Sequence, residues 1–217
     1  MIILTFDDNH IAAWVDASPW MRQRGIKATF YVCYPDKYSP AEFRALRTLE
    51  EAGHEIGYHG LHHSRAALIG LPIDRTNPRL EGEKQWRNMR HYFEGEIEKG
   101  IDILSREGIR PRHFAYPYGS HSEYSDAELL TFFDTLRIGG PGRYPADRQI
   151  PRIWGGRVFG KPGADAILRG PGDFIQAIIL HLPKTDRMAS LEKLARDNGH
   201  EFITVSEARK LSGKGQK

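Results

Sequence analysis

Apolar residues in this chain follow two alternating patterns. One is a short unbroken run of strand length. The other is a longer segment whose apolar positions recur every three or four residues. Ile2–Phe6, Lys27–Cys33, His54–Tyr58 and His113–Pro117 are of the first kind and predict buried strands. Arg152–Phe159, Phe174–Leu182 and Glu201–Thr204 continue that series. Helices are expected around Trp14–Arg24, from Pro40 to Gly53, and over Lys84–Glu107 with a break near Gly100. Further helices are expected over Asp126–Leu136, Ala189–Asp197 and Ser206–Leu211. Ser39-Pro40-Ala41-Glu42 is a helix start, with Ser39 as N-cap, Pro40 in the first turn and Glu42 closing the box. Phe43, Leu46 and Leu49 then share one face, as do Trp86, Met89, Phe93, Ile97, Ile101 and Leu104 in the long helix. Ile69–Gly82 and Gly139–Asp147 are rich in Gly and Pro and read as irregular. Strands alternating with helices predict an α/β fold, a parallel sheet with covering helices, in a single domain over residues 1–217.

Composition narrows the class. With 40% hydrophobic and 27% charged residues the chain is an ordinary globular sequence. The net charge of +3 is mild and scattered, which excludes a nucleic-acid-binding stripe, although a weakly basic surface favours an anionic polymer. Cys33 is the only cysteine, so no intrachain disulfide forms, and it reads as a small core residue. No apolar run reaches the roughly 18 residues of a membrane-spanning helix. Met1 leads directly into a strand with no basic segment before it, so the expectation is a cytoplasmic protein; a trimmed secreted form would read the same way.

The chemistry concentrates at the predicted strand ends. Ile2–Phe6 runs into two adjacent acids, Asp7 and Asp8. His54–Tyr58 runs into His59-Gly60-Leu61-His62-His63. On a helical turn His59 and His63, four apart, would share one face and meet one metal ion at about 2.0–2.1 Å each. His62 competes as a partner of His59; His63 is preferred because Gly60 and Leu61 permit a tight entry that turns His62 aside. One carboxylate of the acidic pair can complete a His/His/Asp site and the other can act as a base. Pro117-Tyr118 and His181 also end strand-like runs. In barrel folds the C-terminal ends of strands hold the active site.

Taken in order, Thr5-Phe6-Asp7-Asp8, His59-x-x-x-His63, Tyr116-Pro117-Tyr118-Gly119 and Leu180-His181 resemble the motifs of polysaccharide deacetylases, the NodB-homology domains of carbohydrate esterase family 4. The resemblance spans residues 1 to about 207. It implies an irregular (β/α) barrel of seven or eight mainly parallel strands. It also implies a metal-dependent hydrolase removing N-acetyl groups from an amino sugar or polysaccharide. By the same resemblance Asp8, His59 and His63 hold one divalent ion, zinc first, with cobalt, nickel, manganese or iron as alternatives. Asp7 is then the general base, Tyr118 lends its backbone N–H to the oxyanion, and His181 is the general acid. Such a site activates a water, shares the oxyanion charge and protonates a poor amine leaving group.

Several positions depart from that pattern. Ala115 stands where the family often has a base-orienting arginine; Arg152 is the expected replacement cation. A fourth, Asp/Trp motif is absent, and Asn9 stands where glycine is frequent. Tyr58, Pro117 and Trp154 are the candidate substrate contacts, by stacking for the aromatic rings. His10, His54, His91, His113, His121 and His200 receive no part in the chemistry. The expected partner is an acetylated carbohydrate or a small amide, with no nucleic acid and no membrane. The competing readings are an O-acetyl esterase, a non-sugar amidohydrolase, an Fe(II) oxygenase built on the same triad, and an inactive carbohydrate-binding relative.

Overall fold

The computed structural model describes residues 1–138, 153–158 and 175–213. Eight strands form one parallel sheet: β1 (Ile2–Asp8), β2 (Thr29–Val32), β3 (Glu55–Tyr58), β4 (His113–Ala115), β5 (Thr135–Arg137), β6 (Ile153–Val158), β7 (Ile175–Leu180) and β8 (Phe202–Ile203). The order is β5-β4-β3-β2-β1-β7-β6, with β8 paired to β1 off that path. β8 takes Ile2 and Ile3 of β1, and β2 takes Thr5 to Asp8, so the lower and upper halves of β1 feed different neighbours. This is the curled, deformed barrel expected, with helices around it.

β1 shows how the sequence makes this shape. It is buried from Ile2 to Asp7, as a central parallel strand must be. Its side chains alternate between two cores. Ile2, Leu4 and Phe6 join the large cluster with Trp14, Phe30, Leu46 and Leu49, between sheet and helices. Ile3 joins a small inner cluster with Tyr31, Ala115, Ile203, Val205 and Ala208. Asp7 has the parity of Ile3, so period two alone turns its carboxylate into the curled interior. The interior is tight: a Cβ on Gly57 would overlap the Tyr31 ring of the neighbouring strand.

The helices pack outside. α1 (Ile11–Gln23) buries Trp14 and Met21. α2 (Pro40–Glu51) starts with the capping box read from the sequence: Ser39 Oγ accepts from the Glu42 amide, and Glu42 Oε2 accepts from the Ser39 amide. α6 (Thr185–Asp197) and α7 (Val205–Gly213) close the chain.

Two helix expectations need correction. The long helix begins at Met89, not Lys84, because Asn88 caps it through His91 N and the Trp86 carbonyl is committed to Gly70 N in the preceding loop. It runs as α3 (Met89–Tyr92), a π-helical stretch (Phe93–Glu98) and α4 (Lys99–Arg106), with no break at Gly100. The segment expected to be helical over Asp126–Leu136 divides. α5 (Glu123–Leu129) starts at the Ser122 cap and stops, and Thr135–Arg137 crosses into the sheet beside β4. No helix among the described residues is long and apolar enough to cross a membrane.

His54 gives a stability prediction. It is buried, edge-on to Phe30 at 5.3 Å, with Nε2 3.1 Å from Ser18 Oγ. Burial pulls its pKa from 6.5 down to about 4. Above the higher value the native and unfolded states both hold it neutral. Below it the unfolded chain takes the proton first, so stability falls as pH drops through that window, by up to about 3 kcal/mol. Urea unfolding of wild type and His54→Gln at about pH 7.5 and about pH 5 should show a shallower pH slope in the variant. An identical slope would rule out His54 as the source.

Candidate active site

Three strand ends carry the site. β1 ends at Asp7-Asp8, β3 delivers His59, and β4 delivers the Pro117–Gly119 turn. Four described non-glycine residues have positive φ, and three of them are here: Asp8 at 82°, His63 at 56° and Tyr118 at 58°. Such conformations are costly for residues with a Cβ and cluster where function demands a geometry. At Asp8 the left-handed turn lets both neighbouring carboxylates face the same interior.

Asp8, His59 and His63 place one ligand atom each within 4.8 Å of one another. Asp8 Oδ1 lies 3.3 Å from His63 Nε2 and 3.8 Å from His59 Nε2, and the two Nε2 atoms are 3.2 Å apart. A tetrahedral ion with ligands at about 2.0–2.1 Å needs donors about 3.3–3.4 Å apart, so the triangle fits a divalent ion. The tautomer fits as well. His59 Nδ1 is 2.7 Å from the Ala115 carbonyl, which can only accept, so Nδ1 carries the hydrogen and Nε2 offers its lone pair. Burial holds the His59 pKa down to about 4, against the pull of Asp7. Burial works against ionisation of Asp8, yet the His63 hydrogen bond and the fields of His59, His63 and His181 together outweigh it and bring its pKa down to about 2. Near neutral pH the cluster therefore offers an anionic carboxylate and an unprotonated His59.

The histidine pair is not helical, as the spacing suggested. The chain turns between them through Gly60, at φ 94°, and His63. His62 points away from the triangle, its Nδ1 2.8 Å from Glu96. His181, just beyond β7, faces the other carboxylate oxygen, with Nε2 3.7 Å from Asp8 Oδ2 and a side chain 54% exposed. His10, to which the sequence reading gave no part, stands 4.0 Å from the same oxygen. Tyr118 lies in the first turn of a short 3-10 segment, where amides have no partner within the turn. Its exposed ring packs edge-on to His63 at 4.6 Å and beneath the Arg65 guanidinium at 3.5 Å.

Asp7 is buried beside this cluster, and Arg137 Nη2 donates to its Oδ1 at 2.5 Å. Arg137 sits on β5, directly opposite Ala115 on β4. The cation missing at position 115 is thus supplied from the neighbouring strand at the same level of the barrel. Arg152, the replacement expected from sequence, lies outside the described residues. Arg137 went unread because its segment resembled helix up to Leu136; the β-branched Thr135 before Leu136-Arg137 was the available signal. The three expected substrate contacts stand differently. Tyr58 does not face substrate: it is fully buried, its ring packs near Phe114 and Phe133, and its hydroxyl donates to the Glu96 carbonyl at 2.6 Å. Pro117 is buried at the start of the 3-10 turn, and Trp154 stands in β6.

Removing one partner of a buried ion pair leaves an uncompensated charge. Arg137→Met should therefore lower unfolding stability by about 3–5 kcal/mol. Adding Asp7→Asn should recover much of that loss, as urea unfolding of both single variants and the double variant will read. Additive effects, with no coupling, would dissolve the pair.

The family model for polysaccharide deacetylase matches residues 1–131. No curated protein matches the chain significantly. Among solved structures, the Xyl-CE4 domain of a multidomain xylanase from the hindgut metagenome of Trinervitermes trinervoides is 19% identical. It superposes with a TM-score of 0.62, covering 98% of this chain and 90% of its own. A family 4 acetyl xylan esterase from Clostridium thermocellum, in complex with a cobalt ion, is 20% identical with a TM-score of 0.61, covering 98% and 91%. The peptidoglycan deacetylase PdaC from Bacillus subtilis is 19% identical with a TM-score of 0.59, covering 100% and 93%. These structures share the fold. With its model spanning more than half of the 217 residues, the chain belongs to the polysaccharide deacetylase family.

Proposed function

We propose that this chain is a metal-dependent hydrolase that removes N-acetyl groups from an amino sugar or an N-acetylated polysaccharide. The observation that carries the reading is the Asp8–His59–His63 triangle set beside the buried Asp7–Arg137 pair. Asp8, His59 and His63 would hold the ion, zinc first and cobalt, nickel, manganese or iron otherwise. When bound, a divalent ion there lowers the pKa of water and polarises the acyl carbonyl.

The chain's own residues supply the remaining chemistry. Asp7 accepts the proton of the attacking water as the general base. Arg137 fixes the orientation of that carboxylate through the charge-assisted hydrogen bond to its Oδ1. The Tyr118 N–H points its dipole at the developing oxyanion. His181, exposed on the open side of Asp8, donates a proton to the departing amine. The exposed Tyr118 ring offers a face for a sugar. A second reading, O-acetyl ester hydrolysis, is favoured by the similar acetyl xylan esterase. An alkoxide leaves more readily than an amine, so ester cleavage would depend less on His181.

The test combines metal content with acetate release from a panel of N- and O-acetylated sugars, before and after chelation. Asp8→Ala and His59→Ala should lose the metal. Asp7→Asn should keep it and lose about a hundredfold or more in turnover. A full metal complement in either ligand variant would refute the ligand set. Chelator-insensitive acetate release would refute metal dependence, and release from esters alone would move the assignment to the esterase.

A further inference from the structure

We propose that Glu96 is the positioning residue that holds the His59–His63 loop in its ligand-presenting shape. The proposal rests on the reading of Asp8, His59 and His63 as a metal site. Glu96 lies in the π-helical stretch Phe93–Glu98 and has no solvent exposure. A π-turn inside a helix redirects one residue out of the regular ladder and is frequent at functional sites.

Nearly all of what Glu96 offers is spent on this loop. Its carboxylate oxygen Oε2 accepts from the His62 amide at 2.9 Å, and Oε1 accepts from the Ser64 amide at 3.0 Å. Its backbone carbonyl accepts from the Leu61 amide at 3.2 Å and from the Tyr58 hydroxyl at 2.6 Å. The His62 ring adds another bond, with Nδ1 2.8 Å from Oε2. Lys84 Nζ lies 3.0 Å from the other ring nitrogen of His62. An ammonium can only donate, so that nitrogen accepts and Nδ1 carries the hydrogen toward Glu96.

The bonds bracket His63. The amides on both sides of it are tied to one carboxylate, and His63 is held at a φ of 56° that a residue with a Cβ resists. Gly60 completes the fit: a Cβ there would collide with Glu96 Oε1. The carboxylate occupies the space under the loop that a side chain at position 60 would fill. Without it, the amides of His62 and Ser64 lose their acceptors, and the left-handed turn at His63 loses the bonds on both of its sides. Glu96 therefore acts on the metal through loop geometry, without touching it. A glutamine cannot substitute, because its NH2 group would face a backbone N–H.

The test is Co(II) titration calorimetry on metal-free wild type, Glu96→Gln and His62→Ala, with thermal unfolding of each metal-free protein. Glu96→Gln should unfold cooperatively yet bind Co(II) about 10–100-fold more weakly, the usual cost of losing a group that orients a ligand. Its acetate release should climb back toward wild type as Co(II) is raised. His62→Ala, which keeps both amide bonds, should lose less affinity. An unchanged Co(II) affinity in a folded Glu96→Gln would overturn the proposal. Should Glu96→Gln fail to fold, Glu96→Asp decides, since it keeps the charge but draws the carboxylate back from the His62 and Ser64 amides: weakened Co(II) binding supports the proposal, and wild-type affinity overturns it. Wild type that does not bind Co(II) at all would instead overturn the metal-site reading underneath.

Discussion

The ion pair between Asp7 and Arg137 constrains the whole molecule. Asp7 belongs to the central strand and Arg137 to β5, with β2, β3 and β4 between them. In a flat sheet, four strand spacings would separate them by roughly 19 Å, beyond the reach of any arginine. They meet at 2.5 Å because the sheet curls and both residues face its inside. Arg137 crosses that interior over the Tyr31 ring, with its guanidinium carbon 5.0 Å from the ring centre. Curl, inward parity and burial must all hold at once for the pair to form, so the same geometry that curls the sheet buries Asp7 against Arg137.

The site is then assembled from strand ends that are individually strained. Asp8, His63 and Tyr118 each take a left-handed conformation, and each is over-determined by its surroundings. The Cys33 amide donates to the Asp8 carbonyl, Glu96 ties the amides flanking His63, and the 3-10 turn holds Tyr118. Rigid strands below and the hydrogen bonds around Asp8 and His63 offset the cost of these conformations. The result is an arrangement in which two adjacent carboxylates, Asp7 and Asp8, have different electrostatic surroundings. Asp8 faces imidazoles and Asp7 faces a guanidinium, so neither carboxylate is left against the other.

Much of this was legible in the chain. The short apolar runs marked seven of the eight described strands, all but β5, because a parallel strand buried on both faces has no polar alternation to blur it. The Ser39–Glu42 box located α2, and the adjacency of Asp7-Asp8 and the His59–His63 spacing located the chemistry. What misled was short or ambiguous pattern. Thr135–Arg137 is a three-residue strand whose apolar neighbours Leu129, Phe133 and Leu136 also fit a helical face, and Arg137 was missed with it. Tyr58 reads as a sugar platform in the sequence because an aromatic at a strand end looks the same whether it faces solvent or core.

The sequence by itself determined which residues make up the candidate site and at which strand ends they stand, since hydrophobic period, turn residues and motif order are local properties of the chain. Only the tertiary structure decided how these residues are served. That a cation 130 positions away neutralises Asp7, that a buried glutamate on a π-turn organises the histidine loop, and that His10 faces Asp8 all depend on which elements the curled sheet brings together. Such pairings join side chains across the barrel and across the helix–loop interface, where sequence separation carries no information about distance.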